Sequence, residues 1–246
     1  MSRYMVFPIQ FMLYTIATVF AACNSYDTAA PLQRVPTTVS LFLAESTIET
    51  GQVTAASATV LDQNGAAIDS ARVTFTSYMA DIASVNPTTG AIRGAAPGTT
   101  QITATVDGKS DQKTITVFAS PIRINEVKPD SDYSGGWIEI YNPSTTDADL
   151  SNWKLTSGDG QEGFTIPVGA VLLAGGYRVI NETALPAQLE SADAVHLYSR
   201  WGIEVDTYSW RGNPTASYAR CPNGSGPFID VVVLTRAAAN TCPPAT

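Results

Sequence analysis

Residues 124–144 read "INEVKPDSDYSGGWIEIYNPS", which sets Glu126 and Glu139 among alternating apolar residues with Asp130 and Asp132 between them. Two carboxylates on adjacent strands can divide the labour of general acid and general base. In strand geometry Trp137, Glu139 and Tyr141 share one face while Ile138 and Ile140 take the other. A carboxylate flanked by aromatics in that way pairs most often with a cross-strand or loop partner. No second functional group accompanies the pair, so the residues favour a structural role over a catalytic one, and no catalytic residue is assigned. Asp130 and Asp132 could bind calcium with help from carbonyls, but their loop lacks the spacing of an EF-hand, and a solvated acidic loop accounts for them. No metal site or other cofactor is expected.

Two other arrangements lose their chemistry in context. "GDGQEG", residues 158–163, has the spacing of a dinucleotide-binding loop, yet "FTIP" follows it, a short strand with a proline in place of the required helix. The single histidine, His196, lies in "AVHLY", where Val195 and Leu197 face one way and His196 and Tyr198 the other. That pattern makes it a sheet-surface residue, and the chain has no G-x-S-x-G elbow to partner it.

These side chains sit in a chain of 246 residues with one short basic start and a mostly apolar run over residues 5–22, ending in "VFAAC". A basic start, an apolar run and small residues before a cut site make an export signal over residues 1–22. Phe20-Ala21-Ala22-Cys23 resembles the lipobox of bacterial lipoproteins, with Phe20 where that motif usually has Leu. The resemblance implies cleavage before Cys23, acylation of that cysteine, and a membrane partner reached through the lipid. Asn24 after the cysteine favours the outer membrane under the sorting rule of such lipoproteins. Residues 23–37 contain two prolines and no apolar periodicity, and they read as a tether able to span at most roughly 45–50 Å.

Composition excludes some partners. The formal net charge is -8, and loss of Arg3 with the signal would take it to -9. With 15% charged residues and no basic stripe, the chain cannot cluster the Lys and Arg that phosphates need, so nucleic acid is not expected as a partner. Once Cys23 is assigned to lipid, Cys221 and Cys242 remain, and an even pair in an oxidising compartment is most simply a disulfide.

From residue 38 onward short alternating runs recur between Gly, Asn, Asp and Pro, and no ten-residue stretch keeps a helical period, which predicts an all-β chain. In residues 38–119, Val39, Leu41 and Leu43 alternate, as do Ile102, Ala104 and Val106, while Asn64-Gly65 and Thr89-Gly90 mark turns needing positive φ. "ATVLDQNG", "VTFTS", "IASVNPTTGAIRG" and "APGTTQITATV" resemble the group 2 bacterial immunoglobulin-like domain, with Phe75 where the family usually has Trp. Such domains are mostly spacers or adhesion modules.

Residues 121–246 resemble the lamin-tail domain, an immunoglobulin-like β-sandwich. The residues that carry the likeness are Ile124-Asn125-Glu126, residues 137–142 ("WIEIYN"), Leu150 with Trp153 and Leu155, Pro167, Gly175 and Gly176, Val205-Asp206, and the late Arg220, Pro222 and Gly224. The implied fold is two immunoglobulin-like β-sandwiches in series after signal peptide and tether. All four tryptophans fall in the second, with Trp137, Trp153 and Trp210 in strand patterns that assign them to the core.

Arg200 and Trp201 occupy a turn that usually carries small polar residues. Trp201 is either an exposed contact anchor, which with Arg200 would touch a protein or glycan ligand, or folded back over a sheet edge. Two functions remain in view. The first is a non-enzymatic, lipid-anchored cell-envelope protein acting as spacer plus binding or adhesion module, and the second is an accessory subunit of an exported hydrolase.

Overall fold

The computed structural model describes residues 33–129, 135–158, 162–186 and 188–244. Cys23, the signal peptide, most of the tether, Asp130, Asp132 and the middle of "GDGQEG" therefore lie outside the described residues. Among the described residues the structure is strand and turn throughout, save one 3-10 turn at Glu182–Ala184, and none forms a helix long and apolar enough to cross a membrane.

The first sandwich comprises β1 (Pro36–Leu43), β2 (Thr47–Glu49), β3 (Val53–Asp62), β4 (Thr74–Ser77), β5 (Ala83–Val85), β6 (Ala91–Gly94), β7 (Gly98–Val106) and β8 (Lys109–Phe118). Its two sheets run β1-β3-β6-β5 and β2-β8-β7-β4. The inward positions read from alternation form its core, with Val39, Leu41, Phe75, Ile92, Ile102, Ile115 and Val117 buried together. The two expected turns form for local reasons. Asp62 Oδ1 accepts from the amides of Asn64 and Ala66, at 2.9 Å each, and Gly65 takes φ 76°. At the second, Gly90 adopts φ 72°, and any Cβ there would fall 2.2 Å from the carbonyl oxygen of Ala56, so only glycine fits. Edge strand β1 is blunted by Asp111 of β8, whose Oδ2 accepts the Leu41 amide at 2.8 Å.

The second sandwich comprises β9 (Arg123–Lys128), β10 (Trp137–Tyr141), β11 (Ala148–Asp149), β12 (Lys154–Ser157), β13 (Gly163–Thr165), β14 (Val171–Leu172), β15 (Tyr177–Asn181), β16 (Ala192–Tyr198), β17 (Glu204–Arg211), β18 (Ser217–Arg220) and β19 (Phe228–Val231). One sheet runs β15-β10-β9-β18-β19 and the other β13-β12-β16-β17, with β11 and β14 paired apart. The described strands on either side of "GDGQEG", β12 and β13, pair antiparallel. Ile124, Val127, Ile138, Ile140, Leu155, Val195, Leu197, Trp153 and Trp210 fill the core between the sheets. Trp137 is also buried, but on the opposite face of β10, with Arg236 Cζ 5.8 Å from its ring centre.

The two sheets of this sandwich are tied by Asp206 and Arg220. Arg220 Nη2 donates to both carboxylate oxygens of Asp206, at 2.7 and 2.9 Å, its Nε donates to the Ile124 carbonyl at 2.8 Å, and its Nη1 to the Gly226 carbonyl at 2.9 Å. The Ile124 amide in turn donates to Asp206 Oδ2 at 2.9 Å. Four of the five N–H donors of this largely buried guanidinium and both oxygens of its carboxylate partner are used, which is the condition under which such a pair holds. Asp206→Ala should therefore destabilise the protein by about 3–5 kcal/mol in urea unfolding, because it strands a guanidinium in a dry site. A cost below about 1 kcal/mol would show that the pair is solvated and incidental.

Candidate functional site

Glu126 and Glu139 are direct cross-strand neighbours in β9 and β10. A β-bulge opposite Glu139 leaves Asn125 as the extra residue of β9, since Glu139 pairs with Glu126 and Ile140 with Ile124. In an unbroken strand Asn125 would point away from Glu126, whereas the bulge brings both to the outer face. That face is covered. Residues 232–242, which follow β19 without forming a strand, lie across it, and both carboxylates have 0% exposure.

Each carboxylate oxygen has a donor. Glu126 Oε1 accepts from the Ser217 hydroxyl at 2.5 Å and from the Thr235 amide at 3.3 Å, and its Oε2 accepts from the Thr235 hydroxyl at 2.6 Å. Glu139 Oε1 accepts from Asn125 Nδ2 at 2.9 Å, and its Oε2 from the Ala237 amide at 2.6 Å. Ala237 holds φ 60°, a left-handed backbone that a non-glycine residue adopts at a cost, which aims its amide at the carboxylate. Asn240 fastens the covering segment. Its Nδ2 donates to the Asn125 carbonyl at 3.1 Å and to the Arg220 carbonyl at 2.9 Å, and its amide donates to Asn223 Oδ1 at 3.0 Å. Asn223 Nδ2 reaches the hydroxyl of Tyr177, which stacks on Tyr141 at 4.7 Å. The Cys221–Cys242 disulfide closes the far end of the segment.

Chemically this is a closed polar core. A general acid or base must reach a substrate proton within hydrogen-bond distance, and these oxygens are enclosed and engaged by the protein's own donors. Burial pushes the Glu139 carboxyl up to about 7, against the lowering influence of Asn125 and the Ala237 amide, and neighbouring Glu126 adds to the rise. A perturbed carboxyl of this kind is a common mark of active sites, but structural networks produce it too.

The remaining expected residues fall elsewhere. His196 stands on the outer side of β16, with Nδ1 2.8 Å from Glu204 Oε1 and 3.1 Å from the Thr207 hydroxyl, an ordinary cross-strand contact. The Arg200–Trp201 turn is not a free tip. Arg200 Nη2 lies 2.7 Å from Asp149 Oδ2 and donates to the Asp149 carbonyl at 2.6 Å. Trp201 keeps 36% of its surface exposed and packs at the junction of the two sandwiches. There, a Cβ on Gly51 of the β2–β3 turn would fall 2.5 Å from Ile203 Cγ1 and 2.8 Å from Trp201 Cβ. Glu49 at the end of β2 faces Ser120, Arg200 and Trp201, and burial raises its carboxyl despite those contacts. Trp201 is thus partly exposed, and its covered side packs against Gly51 of the β2–β3 turn.

Residue patterns do not reveal Thr235 and Ala237, which reach the carboxylates across about a hundred residues of chain, or Asn240, which reaches the Asn125 carbonyl beside them. The one available signal is Asn125, a polar residue on the apolar face of the "RINEVK" alternation, which only a bulge can reconcile. Among the described residues no three His, Cys, Asp or Glu side chains gather to hold a metal.

Comparison with known families places two matches along the chain. The profile of the bacterial Ig-like domain, group 2, covers residues 36–117, and that of the lamin tail domain covers residues 118–212. β18, β19 and the segment over the carboxylates lie beyond the second match. No curated protein matches. Among solved structures, domains 5-6 of the S-layer protein SbsC share 14% identity over 72% of this chain and 97% of that one, at a TM-score of 0.32. The Yersinia pseudotuberculosis adhesin InvE shares 14% over 74% and 67%, at 0.29. The Escherichia coli adhesin FdeC shares 14% over 74% and 65%, at 0.32. Overlap that loose bears on neither activity nor ligand.

The raised Glu139 carboxyl has a defined consequence for stability. The folded chain holds that proton up to a pH of about 7, whereas the unfolded chain releases it near the model value of 4.5. Between those values the folded state binds more protons, so this contribution is full below pH 4.5 and is lost as pH rises through 7. The loss amounts to about 3 kcal/mol. Urea unfolding at steps from pH 5 to pH 8 should show that decline, and Glu139→Gln should flatten it whatever its absolute stability. An equal slope in both proteins would show that Glu139 does not carry the titration.

Proposed function

From the premise that the chain joins a group 2 bacterial immunoglobulin-like domain to a lamin tail domain, we propose that it is a non-enzymatic, lipid-anchored protein of the cell envelope. The first sandwich serves as spacer and the second as binding or adhesion module. The observation that carries this reading is the enclosure of Glu126 and Glu139. The carboxylate pair best suited by type and spacing to acid–base work is spent on holding residues 232–242 in place.

Three further features support it. The Cys221–Cys242 disulfide suits an oxidising compartment reached by export. The "FAAC" motif supplies the anchor at Cys23, with the outer membrane as the destination that Asn24 favours. The packing of Trp201 and Ile203 on Gly51 sets one sandwich against the other, which suits a spacer that must hold a binding surface at a fixed bearing. The ligand is a protein or a glycan, met near Arg200 and the open part of Trp201.

In the native bacterium, metabolic palmitate labelling should mark the wild-type chain and be lost in Cys23→Ser, which should also move from the membrane to the soluble fraction. Unchanged labelling and fractionation would rule the lipid anchor out.

A further inference from the structure

Asn-Gly occurs twice in the chain, at Asn64-Gly65 and at Asn223-Gly224. The dipeptide carries its own reaction, because glycine leaves its backbone nitrogen unshielded beside the asparagine carboxamide. That nitrogen attacks the asparagine Cγ, the new N–Cγ bond closes a succinimide ring, and the Cγ–Nδ2 bond breaks. The amide hydrogen leaves with Nδ2 as ammonia. Water then opens the ring, at Cγ to give aspartate or at the main-chain carbonyl to give isoaspartate. Neither step needs an enzyme, an oxidant or a cofactor. The fold decides the outcome, by letting nitrogen and carbon meet or by keeping them apart.

The two pairs differ in that respect. Residues 63–67 are all exposed, the Asn64 carboxamide has no partner among the described residues, and nothing lies within 4 Å of where a Cβ on Gly65 would sit. One bond opposes the reaction, since the Gly65 amide donates to the Asp62 carbonyl at 3.0 Å. In so exposed a turn water replaces that acceptor at small cost. The core residue Val60, whose carbonyl accepts from the Ile68 amide at 2.8 Å, lies outside the altered peptide link, so the sandwich tolerates the lengthened backbone of isoaspartate.

At Asn223 every reacting group is held. Its Oδ1 accepts from Asn125 Nδ2 at 3.1 Å and from the Asn240 amide at 3.0 Å, and its Nδ2 donates to the Tyr177 hydroxyl at 3.0 Å. The attacking nitrogen, that of Gly224, donates to Asn125 Oδ1 at 2.9 Å. Gly224 is buried, and Tyr141 Cδ1 lies 2.4 Å from where its Cβ would be. Ring closure there requires dismantling the network that covers Glu126 and Glu139.

We propose that Asn64 is a site of spontaneous deamidation in the folded chain, and that Asn223, its twin in sequence, is held intact by the carboxylate network. The chemistry is independent of the lipid anchor and of any ligand, and it gives the first sandwich one further negative charge as the chain ages.

The test incubates the full chain, folded and unfolded in urea, at physiological pH and temperature. Peptide mapping with electron-transfer fragmentation follows each pair and separates aspartate from isoaspartate. In the folded chain Asn64 should convert, and Asn223 should convert at least about tenfold more slowly, because its reaction waits on local opening. In urea the two rates should come together. Asn64→Gln alters a side chain without a partner and could close only a larger, slower-forming ring. It should abolish the acidic species that isoelectric focusing finds in the aged, folded protein. An Asn64 that stays an amide in the folded chain while it converts in urea overturns the site. So does conversion of Asn223 at the rate of Asn64 in the folded chain, or an acidic species that persists undiminished in Asn64→Gln.

Discussion

Burying Glu126 and Glu139 side by side on neighbouring strands obliges the fold to supply donors to four carboxylate oxygens. A buried ionisable group without partners costs more than most single interactions in a protein return. The second sandwich meets the requirement with parts drawn from distant places. The β9 bulge turns Asn125 outward, Ser217 arrives on β18, and the covering segment brings Thr235 and Ala237. Because a carboxylate left bare by withdrawal of that segment would be stranded, the segment is held by the same groups that it satisfies. The disulfide at Cys242 then limits how far it can move even when its hydrogen bonds break.

The same logic recurs at smaller scale. Asp206 and Arg220 take part in five hydrogen bonds, three of which join the two sheets, and little of either group is left unpaired. Arg220 also belongs to the carboxylate network through its carbonyl, which accepts from Asn240. Sheet pairing, covering segment and disulfide are therefore coupled through β18. At the other end of the domain the bare backbone of Gly51 lets Trp201 and Ile203 approach, so the junction between sandwiches rests on apolar contact with Glu49 and Arg200 beside it. Packing within the second domain and at its junction leaves a cleft lined by residues of both domains.

Much of this was legible in the sequence. Alternation gave the core of both sandwiches, because the period of a strand reports which side chains point inward. Asn64-Gly65 and Thr89-Gly90 marked their turns through the backbone geometry that glycine permits, and the spare cysteines pointed to their own bridge. The site was legible only in part. Glu139 could be placed on one face with Trp137 and Tyr141, but alternation cannot say what covers that face. "VVVLTRAAAN" carries no strand period, and Val232, Val233 and Leu234 stay exposed, so its function as a cover follows from side-chain and backbone contacts to the carboxylates more than ninety residues away. Trp137 shows the same blind spot, since it is buried as expected but beneath this segment and not between the sheets. The Arg200–Trp201 turn could be read either as an exposed anchor or as folded back, because the neighbour that receives it, Gly51, lies in another domain.

The covering segment is the element on which the non-enzymatic reading turns, and hydrogen exchange measures it directly. The amide of Ala237 donates to Glu139 and that of Thr235 to Glu126, in a stretch without regular structure. If those bonds hold the segment over the carboxylates, both amides should exchange as slowly as their neighbours in β9 and β10, and reduction of the Cys221–Cys242 bridge should speed them. If instead they exchange at the rate of an open loop while the amides of β9 and β10 stay protected, the carboxylates are accessible in solution and Glu126 and Glu139 regain the chemistry denied to them here.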